Sequence, residues 1–182
     1  QGPPRAGSTT LANMLANGSK KRGYFVVRAS PESSRPLSSV TAMVCQVLGL
    51  TPEERFTRLD AALEKRNVPA PLREATLAVA GVRAWTSPPS PGQAAHVLRA
   101  LVRNAAGDNP VVVIFHALPQ MDMASFETFV AMAARPASRE LVVGFSSPSD
   151  RDDLLKDLQQ VSLPALELAD VSRLAAGALR GT

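Results

Sequence analysis

Two glycines frame the segment Gly2-Pro3-Pro4-Arg5-Ala6-Gly7-Ser8-Thr9, which runs into the helical-looking stretch Thr10 to Leu15. The spacing is that of a phosphate-cradling loop, G-x-x-x-x-G-K-[ST]. In such a loop the glycines let backbone N–H groups wrap a phosphate at a helix amino terminus. In a working loop a lysine ammonium reaches the β- and γ-phosphates and the next hydroxyl binds magnesium. Ser8 stands where the lysine belongs, so the charge is missing. Thr9 keeps the hydroxyl and Thr10 follows it. Ser8 and Thr9 suit helix capping equally well.

The elements that must position such a loop are legible as apolar runs. Tyr24 to Val27, Val111 to Phe115 and Leu141 to Phe145 are rich in β-branched residues. Their continuous apolarity predicts strands covered on both faces, hence a parallel sheet between helix layers. Leu163 to Leu168 reads as a weaker edge strand because of Pro164. Ala94, Val97, Leu98, Leu101, Val102 and Ala105 fall on one helical stripe, which leaves His96 on the solvent side. Thr51-Pro52-Glu53-Glu54 predicts a helix start with Phe56, Leu59 and Leu63 facing inward. A further helix is expected to begin near Asp122, stop before Pro136 and bury Met123, Phe126 and Val130. Strands alternating with helices predict an α/β layer fold, with a helical insert at about 37–82 and a stiff proline-rich linker at 86–91. A strand should precede the phosphate loop, yet the loop begins at residue 2, so either the sequence starts just after its first core strand, or that strand comes from elsewhere, or the segment is not a phosphate loop.

Composition narrows the function. With 182 residues and 45% hydrophobic side chains, one domain over residues 1–182 is expected. No run reaches the ~20 apolar residues of a membrane span, and no leader is visible, so a cytoplasmic home is expected. The lone Cys45, among Val44, Val47 and Leu48, reads as a buried hydrophobe. The net charge of +4 comes from scattered arginines and the cluster Lys20-Lys21-Arg22, which follows a helical stretch ending near Gly18 and complements its dipole. Only 4% of residues are aromatic, which argues against nucleic acid as the partner.

The order of parts resembles the AAA-like, STAND-type P-loop ATPase domains of bacterial multidomain signalling regulators. Residues 2–11 match the phosphate loop. Arg28-Ala29-Ser30-Pro31-Glu32 and Arg35-Pro36-Leu37 follow the strand, and Asn109-Pro110 leads into the magnesium-site strand. That family places two adjacent acids after the strand and a further Asp before the next helix. Aligned on Asp122, this chain has His116 and Ala117 at the acid positions. The resemblance implies that neither replacement does the work of holding magnesium or activating water. In the segment matching Gly144-Phe145-Ser146-Ser147-Pro148, where family members often carry a polar or cationic group, two serines are available.

His116 also reads as a hydrogen-bonded histidine of the core, and Asp150-Arg151-Asp152-Asp153 as a solvated helix start, so no metal site is read. Together the departures imply a pseudo-ATPase with negligible hydrolysis, acting through other protein domains or subunits as a regulatory or scaffolding module. No cofactor is expected, although weak ATP or GTP binding by the degenerate loop would make it a non-hydrolysing switch. A DNA-associated AAA-like subunit is a third reading. The insert and the proline-rich segment are the expected contact regions.

Overall fold

A computed structural model of the chain describes residues 8–31, 35–84, 87–146 and 151–160. The three apolar runs form strands β1 (Phe25–Ala29), β2 (Val111–Phe115) and β3 (Glu140–Gly144). Tyr24 lies outside β1 and is exposed, and Phe145 lies just past β3. The strands are parallel in the order β1-β2-β3, with Val27 opposite Val113 and Val113 opposite Val142. Among the described residues the fold is therefore α/β, a three-stranded parallel sheet flanked by helices.

All five residues of β2 are buried, and alternation along the strand divides them between two cores. Val112 and Ile114 meet Ala12 and Ala16 of helix α1 (Ser8–Lys21) on one face. Val111, Val113 and Phe115 face the larger core on the other side. That core is built by α2 (Ser38–Leu48), α3 (Arg55–Lys65), α4 (Ala70–Val79), α5 (Pro91–Ala106) and α6 (Met123–Ala134). Among the described residues, one α-helix thus covers one face and five build the other.

Local sequence explains most boundaries. Ser90 caps α5 with a reciprocal capping box to Gln93, and Pro91 takes the first helical position, where its missing N–H costs nothing. The proline-rich segment therefore ends as a helix cap. Thr51 and Glu54 exchange capping hydrogen bonds ahead of α3. Cys45 is buried, His96 is exposed, and Lys20 and Lys21 occupy the last turn of α1. Three helices fill 38–79, and α2 packs directly on β1.

Several expectations need correction. Helix α1 does not stop near Gly18 but continues to Lys21. Phe56 does not face inward: it is 56% exposed, whereas Leu59 and Leu63 are fully buried, because the first turn of α3 overhangs the core. Met123 is 47% exposed, because it occupies the first position of α6 before the inward stripe of Phe126 and Phe129 begins. The strand at Leu163 to Leu168 lies outside the described residues. Among them, no strand precedes α1 and β3 pairs on one side only.

The turn from α6 into β3 is clamped by a side chain from α5. Glu140 Oε2 accepts from Arg99 Nε at 2.7 Å and from the Ala137 N–H at 2.8 Å. Arg99 Nη2 donates to the carbonyls of Met132 and Arg135. The Glu140 side chain is 2% exposed and finds two donors there.

Candidate functional site

Ligand sites of parallel α/β sheets lie beyond the carboxyl ends of the strands. Here the strands end at Ala29, Phe115 and Gly144, with His116 and Phe145 next in the chain after the last two, and Thr9 in the first turn of α1 reaches His116. Thr9 and Asn13 are one helical turn apart on α1, so both project to one side. Thr9 Oγ1 lies 3.1 Å from His116 Nε2, and Asn13 Oδ1 accepts from Arg28 Nη1 at 2.7 Å. The Arg28 N–H donates to Gln46 Oε1 of α2 at 2.9 Å. One turn of helix thus bridges the ends of β1 and β2.

The His116 backbone N–H donates to the Ala29 carbonyl at 2.9 Å, which continues the ladder between β1 and β2 past the last paired residues. Its ring lies 6.4 Å from that of Phe145. Burial, and then the neighbouring Arg28 charge, lower its pKa below the ordinary 6.5, so the imidazole is neutral at pH 7. Ala117 follows in the left-handed conformation, with φ 54° and ψ 51°, and opens a short 3₁₀ turn, Leu118–Gln120. That turn is tied to the end of β3 by the Leu118 N–H, which donates to the Phe145 carbonyl at 3.0 Å.

Asp122 closes the loop and is occupied by the fold. Oδ1 caps α6 through the Ser125 N–H at 2.9 Å and also accepts the Leu37 N–H at 2.8 Å. Oδ2 accepts the Ser38 hydroxyl at 3.0 Å. The carboxylate therefore staples the start of α2 to the start of α6. Leu37 is itself left-handed, with φ 61°, and buried, a conformation that its bond to Asp122 helps hold.

Of the positions singled out in the sequence, the structure brings Thr9 and His116 together, with Ala117 next in the chain. Ser8 begins α1, and Thr10 is exposed on its first turn. Gly2, Gly7 and Ser147 lie outside the described residues. Asp122 serves the loop behind the site. Sequence reasoning missed Asn13, Arg28 and Gln46 as a group. The one available signal was the helical spacing of Thr9 and Asn13, because the partner strands lie far away in the chain.

Chemically, the cluster offers a hydroxyl, a neutral imidazole, a guanidinium and two amides. It contains no carboxylate, and hard divalent cations take oxygen ligands. The Thr9 hydroxyl is engaged by His116 and both Asp122 oxygens are engaged by N–H or O–H donors, so the donors among the described residues do not fit a magnesium ion. Among the described residues, no three His, Cys, Asp or Glu side chains are grouped to hold a metal. No helix among them is long and apolar enough to cross a membrane. Comparisons with protein-family models, curated proteins and solved structures return no match.

Proposed function

We propose that the chain is a catalytically inactive, P-loop ATPase-like domain that works as a regulatory or scaffolding module through contacts with other protein domains, in the manner of bacterial signalling regulators. The observation that carries this reading is the Thr9–His116 hydrogen bond. The hydroxyl that would face magnesium in a working loop is bound instead to an imidazole from the strand that would supply the acids. Ala117, at the second acid position, has no polar side-chain atom, and Asp122 caps a helix. Ser8, at the lysine position, brings no charge to the β- and γ-phosphates. Losing even one such group costs orders of magnitude in rate.

Calorimetric titration with magnesium-ATP and a sensitive phosphate-release assay test the proposal. Release at the background rate is expected. Robust turnover abolished by Ser8→Ala or His116→Ala would reject it.

A second reading, a nucleotide-binding switch that does not hydrolyse, is favoured by the Arg28 guanidinium, which is held by Asn13 one turn in from the start of α1. ATP or GTP would then raise the melting temperature without phosphate release.

A further inference from the structure

Away from the strand ends, a cleft of about 440 Å³ opens between the start of α2, the start of α3 and the end of α4. Its volume falls in the range of ligand-sized sites. The walls include Pro52 and Val79, and the Thr41 hydroxyl donates to the Val79 carbonyl at 3.5 Å, which links α2 to α4 at its back. Two arginines, Arg35 and Arg55, line it, and among the described residues no acidic side chain does.

Phe56 is the large side chain of α3 that the core does not take, and it lies at this cleft, 56% exposed. The Arg55 guanidinium stacks over its ring at 4.2 Å from the centroid, so the pair forms one flat surface with an apolar body and a charged edge. Arg55 Nη1 is held by the Pro52 carbonyl at 3.1 Å. Its Nε is buried without a hydrogen-bond partner among the described residues. Nearby Glu54 is engaged by Thr51 and Arg58, so its carboxylate is committed to other groups.

We infer that this cleft docks an acidic, apolar peptide segment of a protein partner, with a carboxylate on the Arg55 guanidinium and an adjacent aliphatic or aromatic side chain against Phe56, Pro52 and Val79. With Nη1 held by the Pro52 carbonyl and Nε buried, the Nη2 end of the guanidinium is the donor left for a carboxylate, and arginines stacked on aromatics are typical anchors of protein interfaces. The cleft supplies both the charge complementarity and the apolar wall that such a segment needs. The inference names a partner chemistry for the contact role proposed above but rests on the cleft's own residues. Peptide binding and phosphate release are therefore read separately.

Fluorescence polarisation on the 182-residue chain tests it with two labelled hexapeptide pools. In one, Asp or Glu alternates with Leu, Val or Phe; in the other, Lys or Arg replaces the acids. The acidic pool is expected to bind, and the cationic pool is not. Arg55→Gln and Phe56→Ala should each weaken binding about tenfold. Arg55→Lys should recover only part of it, since lysine keeps the charge and loses the planar stack on Phe56. Thermal melts show whether each variant folds, and Phe56→Leu serves as a milder second variant. Absence of binding by the acidic pool, equal binding of both pools, or binding unchanged in folded Arg55 and Phe56 variants overturns the inference. So does displacement of the peptides by inorganic phosphate or duplex DNA at equal concentration.

Discussion

Thr9 Oγ1 and His116 Nε2 meet at 3.1 Å across 107 residues of chain, joining the first turn of α1 to the carboxyl end of the central strand. The contact brings the phosphate-loop hydroxyl to the first position of the expected acid pair. It also makes His116 a sensor of that junction, because in the imidazolium both ring nitrogens donate and the hydroxyl must then accept.

Burial and the Arg28 charge hold His116 below 6.5, so the folded chain binds a proton less readily than the unfolded one. Its contribution to stability is therefore complete above the unfolded value and is lost as pH falls through the lower folded value. Proton NMR of the imidazole should give a midpoint below 6.5. The melting temperature should fall on acidification less steeply in His116→Gln than in the wild type. A midpoint above 6.5 contradicts the geometry.

Asp122 holds two helix starts at once, so its loss is felt twice. Removing an N-cap costs about 1 kcal/mol, and leaving the Leu37 N–H unpartnered costs about 1–3 kcal/mol more. Asp122→Ala should lose about 2–4 kcal/mol in urea unfolding, and Asp122→Asn about 1 kcal/mol. A neutral Asp122→Ala would show that the staple is not formed in solution.

Among the described glycines, Gly144 is the one whose missing side chain makes room for a core contact. A Cβ there would lie 2.5 Å from Phe129 Cζ and 2.6 Å from Leu118 Cδ1. Phe129 is held against Phe115 at 5.2 Å, so the ring cannot retreat freely. Gly144→Ala should destabilise by about 1–3 kcal/mol. The cost should shrink in a Phe129→Leu background, and equal costs in both backgrounds would remove the steric account.

Burial separates two ion pairs of the same chemistry. Glu140 is 2% exposed against Arg99, whereas Glu74 and Arg83 are about half exposed. Glu140→Gln should cost about 2–3 kcal/mol, discounted because the arginine remains partly hydrated, and the loss should change little with salt. Glu74→Gln should cost less than about 0.5 kcal/mol. Comparable losses at the two sites, read by urea unfolding, would contradict this ranking.

The core of β2 and the stripe of α5 could be read from sequence because burial on both faces, or on one stripe, imposes a period on the chain, whereas β3, read the same way, leaves Leu141 49% exposed because among the described residues it is an edge strand. Phe56 broke the same rule, since a periodic pattern says which residues share a face but not how far the helix extends past its neighbours. Asp122 was legible as a helix start. Its bonds to Leu37 and Ser38 were not, because they join segments 84 or more residues apart.

What the sequence determined by itself is the inventory: a glycine-framed loop without its lysine, a β-branched strand followed by His116 and Ala117, and helix starts signalled near Thr51 and Asp122. These are local properties, set by backbone geometry and side-chain chemistry within a few residues. Only the tertiary structure decided which polar groups meet. Packing of α1 on the sheet pairs Thr9 with His116 and Asn13 with Arg28, and docking of the loop after β2 turns Asp122 inward to the α2 start. Hydrogen bonds between distant segments depend on where each element comes to rest, and that is fixed by burial of the whole apolar surface at once.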